Sequence, residues 1–145
     1  MTRLLLTGAV VAAALVTAST PATASPAATW PNDEFIVCVP VAPCPAQSNG
    51  GIVWGNRSAL VQGQIRSLST SGTTVYFEAY AGSTKVDSDT RTARPGADVP
   101  FDVSLSTNVV GGFDRVKIQI CLPGPSQCSE PLHAHRDAVA EQLVG

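Results

Sequence analysis

The sequence predicts an all-β domain built as two antiparallel sheets packed face to face. Three features point there. Apolar and polar residues alternate with period two in several short runs, as strands with one buried and one wet face require. Gly, Pro, Ser and Asn punctuate the chain between those runs. Helical periodicity is almost absent between them.

The elements follow in order. Residues 1–24 predict a secretory signal peptide: Arg3 precedes an apolar run over 4–16, and Ala22-Thr23-Ala24 supplies a small-x-small cleavage site. The apolar run falls short of the roughly 20 residues a membrane span needs, and no later stretch is long or apolar enough. Cleavage after Ala24 takes 24 of the 145 residues and leaves 121, one domain with a real core. Residues 25–33 are rich in Pro and Ala and are expected to be a flexible lead-in. The single domain is expected over 34–145.

Residues 34–39 form a β-prone run that Pro40 stops, and 43–51 reads as turn-rich. Ile52, Val53 and Trp54 make a short strand, with Trp54 expected in the core. Over 59–66 the alternation sets Val61, Gly63 and Ile65 against Leu60, Gln62 and Gln64. Residues 67–72 read as a polar loop. The strongest strand signal is 73–81, where Val75, Phe77 and Ala79 share one face and Tyr76, Glu78 and Tyr80 the other. A short, polar, edge-like strand is expected at 84–86, then a charged loop over 87–98. Val99, Phe101, Val103 and Leu105 alternate with Pro100, Asp102 and Ser104. After the Gly111-Gly112 turn, Val116, Ile118 and Ile120 alternate with Arg115, Lys117, Gln119 and Cys121. A closing strand is expected at 128–133, with a short C-terminal helix or tail over 137–144. About seven short strands with this punctuation predict an Ig-like or fibronectin-like antiparallel β-sandwich.

Four cysteines follow the signal peptide: Cys38, Cys44, Cys121 and Cys128. In a secreted chain an even number reads as disulfides, and four allow three pairings. Short Pro-containing segments separate Cys38 from Cys44 and Cys121 from Cys128, so local pairing is expected. Cys121 also falls on the outward face of its strand, where a partner across the next turn can reach it without entering the core.

Composition and charge narrow the function classes. The chain has 9 Lys+Arg and 11 Asp+Glu; losing Arg3 with the signal leaves 8 against 11, a net charge of about −3. The charges are scattered along the sequence and predict no basic patch, which argues against nucleic acid and anionic membranes as partners. Abundant Ala, Thr, Gly and Pro with few Lys is the habit of a GC-rich bacterial genome. The expected location is extracellular and the expected state a monomer.

No catalytic motif stands out. There is no G-x-S-x-G and no cysteine or serine in a triad context. His133-x-His135 places two imidazoles on one side of a strand, half of a metal site that Glu130 or Asp137 would have to complete; solvated histidines are the ordinary reading. Asp87-x-Asp89 has the spacing of a calcium loop without the rest of that pattern. No cofactor is implied. The binding candidates are Tyr76 and Tyr80, an aromatic stripe on an outer sheet face, together with Leu122 and Pro123 in the Cys121–Cys128 loop. The leading expectation is a secreted, non-catalytic binding module for an extracellular protein or a cell-wall glycan. The alternatives are an inhibitor of an extracellular enzyme acting through the Cys121–Cys128 loop, and a small hydrolase or metal-dependent enzyme around His133 and His135.

Overall fold

Eight strands make up most of the described backbone: β1 (Asp33–Val39), β2 (Ala46–Trp54), β3 (Ser58–Ser67), β4 (Thr73–Ala81), β5 (Thr84–Ala93), β6 (Asp98–Ser106), β7 (Arg115–Cys121) and β8 (Leu132–His135). The structure, a computed structural model, describes residues 33–39, 44–124 and 127–136. The expected signal peptide, the lead-in up to residue 32 and the expected C-terminal helix or tail lie outside the described residues. The strands form two four-stranded antiparallel sheets, ordered β1-β2-β3-β6 and β5-β4-β7-β8. The pairings β3 with β6 and β4 with β7 are Greek-key connections. Setting β2-β3-β6 against β5-β4-β7-β8 gives the immunoglobulin-like sandwich, with β1 added at one edge. Among the described residues no helix is long and apolar enough to cross a membrane.

The inward faces are those the alternation marks. Ile52, Val61, Ile65, Val103 and Leu105 of one sheet meet Val75, Phe77, Ala79, Val116, Ile118 and Ile120 of the other, all buried. Trp54 is in the core as expected; its indole N–H donates to the Asp33 carboxylate at 2.7 Å, so the one polar atom of the ring is satisfied and β1 is tied to β2.

One row across the first sheet has no side chains in the middle. Phe35, Gly50, Gly63 and Phe101 lie side by side in register on β1, β2, β3 and β6. A Cβ on Gly50 would overlap the Gln62 carbonyl, and one on Gly63 the Asn49 carbonyl, so the two backbones approach as only glycines allow. The flanking phenylalanines supply the apolar bulk of the row, and Phe101 packs on Phe77 of the facing sheet with ring centroids 5.2 Å apart.

Both disulfides are the local ones, Cys38–Cys44 and Cys121–Cys128. Such bridges persist in an oxidising compartment such as the extracellular space.

Three expectations are corrected. Residues 46–51 are strand, not turn. Their inward positions are Ala46, Ser48 and Gly50, small or polar residues that hide the apolar alternation, and buried Ser48 is satisfied by donating to the Gln64 carbonyl at 3.1 Å. Residues 87–93 continue β5 rather than forming a loop. Their charges face the seam with β6: Asp87 accepts the Ser106 N–H at 2.8 Å, and Arg91 donates to the Asp102 carbonyl at 2.9 Å. Charged residues turned inward along an edge strand also discourage pairing with another chain. The Asp87-x-Asp89 pair is therefore part of a strand. The closing strand starts at Leu132 rather than 128; Cys128 makes only an isolated bridge to Cys121.

One end of the sandwich is held by Arg136, just after β8. Its guanidinium donates to the carbonyls of Gly55 (3.3 Å), Asn56 (3.0 Å) and Gly111 (3.1 Å), which joins the β2–β3 turn to the β6–β7 loop. Two substitutions test these features. Gly63→Ala is expected to lower unfolding free energy by roughly 1–3 kcal/mol or more, because a backbone carbonyl must move. Arg136→Ala is expected to cost about 1–3 kcal/mol through its lost charged hydrogen bonds. Urea midpoints of the two variants against the parent protein check both.

Candidate functional site

The outer face of β5-β4-β7-β8 carries most of the polar chemistry. Antiparallel register sets Tyr76 opposite Gln119, Glu78 opposite Lys117, and Tyr80 opposite Arg115. The next pairing sets Lys117 opposite His133 and Arg115 opposite His135. Each strand alternates, so all eight side chains emerge on the same side.

At one end of this face the chain leaves β7 at Cys121, which is bridged to Cys128. Leu122 N–H donates to the Gln127 carbonyl at 2.8 Å, closing the turn inside the disulfide. Gly124 takes a φ of +115°, which favours glycine. Leu122 packs against the core rather than pointing outward. The base of the loop is pinned from both sides. Ser129 exchanges hydrogen bonds with Ile120, and Thr73 donates its hydroxyl to the Cys121 carbonyl at 2.8 Å.

Between loop and sheet lies an open groove of ≈ 380 Å³. Tyr76, Glu78, Lys117 and Gln119 form its floor, and Leu122, Pro123, Gly124 and the Cys121–Cys128 bridge form its wall. The structure therefore brings together three of the residues the sequence singled out, Tyr76, Leu122 and Pro123, from segments more than forty positions apart. Tyr76 is 43% exposed, and its ring and hydroxyl are free to meet a ligand. Gln119 is fixed by donating its amide N–H to the Ser129 carbonyl at 2.8 Å, which leaves its side-chain oxygen to accept.

Tyr80 is not in the groove. Its ring lies beneath the Arg115 guanidinium, 4.3 Å from the centroid, and its hydroxyl donates to Glu78 at 2.8 Å. Glu78 also receives Lys117 at 3.2 Å and Lys85 at 3.3 Å. Partial burial raises the Glu78 carboxyl. The hydrogen bonds from Tyr80, Lys117 and Lys85 and the charge of Lys117 together outweigh that and hold it below its ordinary value.

The two histidines stand on the same face, both exposed. His133 accepts the Arg115 guanidinium N–H at its Nδ1, 2.8 Å away. Partial desolvation, then the charges of Arg115, Lys117 and His135, push its imidazole below the ordinary value. Among the described residues no three His, Cys, Asp or Glu side chains are grouped to hold a metal ion. Asp137, one of the two acids that could have completed a site, lies outside the described residues.

Lys85, Arg115, Lys117 and Gln119 were not singled out by the sequence. The alternation of β7 does place Arg115, Lys117 and Gln119 on its wet face. What no local pattern carries is the pairing of that face with Tyr76, Glu78 and Tyr80. No family model, curated protein or solved structure matches the chain.

The Glu78 cluster gives a pH test. A carboxyl depressed on folding adds stability above its unfolded value, near 4.5, and loses it as pH falls through the lower folded value. The stability advantage of the parent protein over Glu78→Gln should thus be constant from neutral pH down to about 5 and shrink below 4.5, read from urea unfolding at a series of pH values.

Proposed function

We propose that this protein is a secreted, non-catalytic binding module that holds an extracellular glycan in the groove between the outer sheet face and the Cys121–Cys128 loop. The observation that carries this reading is the convergence on one open groove of an exposed aromatic ring, a fixed amide and a rigid apolar wall. A sugar offers apolar C–H faces and a rim of hydroxyls. Tyr76 can stack on the first, while Gln119, Lys117 and the Tyr76 hydroxyl can hydrogen-bond the second. The wall is held by a disulfide and backbone hydrogen bonds, so little freedom is lost on binding. The seating of Leu122 on the body favours this use of the loop over insertion into an enzyme's cleft. The cations around His133 and His135 are a poor setting for a metal ion.

The test uses the mature protein and a panel of purified glycans: cellulose, chitin, peptidoglycan, polygalacturonate and pullulan. Retention on at least one is expected, with Tyr76→Ala weakening it about tenfold while circular dichroism stays unchanged, as loss of a stacking aromatic at the centre of a site predicts. Retention on none of the panel, or equal retention of Tyr76→Ala, would overturn the reading.

A further inference from the structure

The charge on this face departs from the expectation of scattered charges. The sequence has a net charge of −2, yet Lys85, Arg115 and Lys117 stand together on the outer face of β5, β4 and β7 with Glu78 as the one carboxylate among them. Three cations against one anion leave that cluster at +2, with Asp114 and Glu34 at its margins, on a protein of net negative charge. The opposite outer face carries Asp98 and Asp102 against Arg66.

We infer that the glycan is acidic: a carboxylate-bearing sugar chain laid along β7, with one unit on Tyr76 and its neighbours over Lys117, Arg115 and the two histidines. This rests on the binding-module reading and adds the chemical class of the ligand. Arg115 lies four residues from Gln119 along β7, on the order of 13 Å at ~3.3 Å per residue. A ligand that touches both the groove and the cations is therefore an extended chain rather than a single sugar. The guanidinium of Arg115 is already oriented, stacked on Tyr80 and donating to His133 and to the Gly82 carbonyl. Its flat fork suits a carboxylate.

The acids nearest this face keep their charge but are oriented by partners of their own. Glu78 is shared among Tyr80, Lys85 and Lys117; Asp33 accepts from Trp54; Asp114 accepts the Gly82 N–H at 3.1 Å. Glu34 flanks the histidines from β1. Arg136 is spent at the end of the sandwich. Partial desolvation and then the nearby positive charges lower the His133 imidazole; an anion seated beside Arg115 and Lys117 would offset those charges, so binding takes up protons and strengthens as pH falls.

Affinity electrophoresis of the mature protein in native gels tests the inference, with polygalacturonate, neutral pullulan, dextran sulfate or duplex DNA as the gel additive. Polygalacturonate is expected to retard the protein and pullulan not. Arg115→Ala should weaken retardation about fivefold, the scale of one lost charge contact. Affinity should rise severalfold from pH 7.5 to 5.5 in the parent protein and stay flat in the His133→Ala/His135→Ala double variant, which leaves the core untouched. Equal retardation by pullulan, unaffected by Arg115→Ala, would overturn the acidic ligand and leave the glycan-binding reading standing. Equal retardation by dextran sulfate or DNA would mean attraction to any polyanion and would also overturn it. No retardation by any additive removes the acidic ligand, and the glycan panel then decides the binding reading by itself.

Discussion

The register between β4 and β7 is the constraint on which the rest depends. Val75, Phe77 and Ala79 meet Ile120, Ile118 and Val116 on the inner side, all fully buried. The same pairing sets Tyr76, Glu78 and Tyr80 beside Gln119, Lys117 and Arg115 on the outer side. A slip of one residue would turn the apolar set of one strand to solvent, so burial enforces the register. The order of the groove floor is thus a by-product of core packing. The face that meets solvent is arranged by the face that avoids it.

The disulfides act on this frame at two places and to different ends. Cys38–Cys44 bridges the connection from β1 to β2 and adds a covalent tie to a strand already held by its ladder, by the Trp54–Asp33 hydrogen bond and by buried Phe35, Val37 and Val39. Cys121–Cys128 closes the loop that walls the groove. Closing so few residues removes modest unfolded-chain entropy, about 2–3 kcal/mol each. The larger effect of the second bridge is geometric: it fixes Leu122 and Pro123 at the side of the groove, where a free loop would sample many positions. Arg136 does comparable work at the opposite end of that sheet through its hydrogen bonds to loop carbonyls.

Electrostatics on the outer face form one connected system. Glu78 sits between Lys85 and Lys117 and holds both near the sheet, while Tyr80 supports Arg115 from below. Lysine and arginine side chains are costly to immobilise, and here their positions are set by partners. The face is pre-organised before any ligand arrives, and it keeps an excess of positive charge because one carboxylate serves two lysines.

Much of this was legible in the chain. Alternation over β3, β4, β6 and β7 marked the strands and which side each buries, since period two is a local property. Cysteine spacing marked the local disulfides, because Pro between each pair, joined by Gly in the second, returns the chain on itself. The outward stripe of Tyr76, Glu78 and Tyr80 was readable for the same reason as the core. Where local pattern misled, small or charged residues occupied inward positions: Ser48 and Gly50 in β2, Asp87 and Asp89 in β5. Those strands exist because partner strands supply their hydrogen bonds, not because their own residues favour it. Only the tertiary structure decided that Leu122 and Pro123 line one groove with Tyr76, and that Lys85, Arg115 and Lys117 form one cationic cluster on an acidic protein. Strand pairing joins residues distant in sequence, and no periodicity within a single strand says which neighbour it will meet.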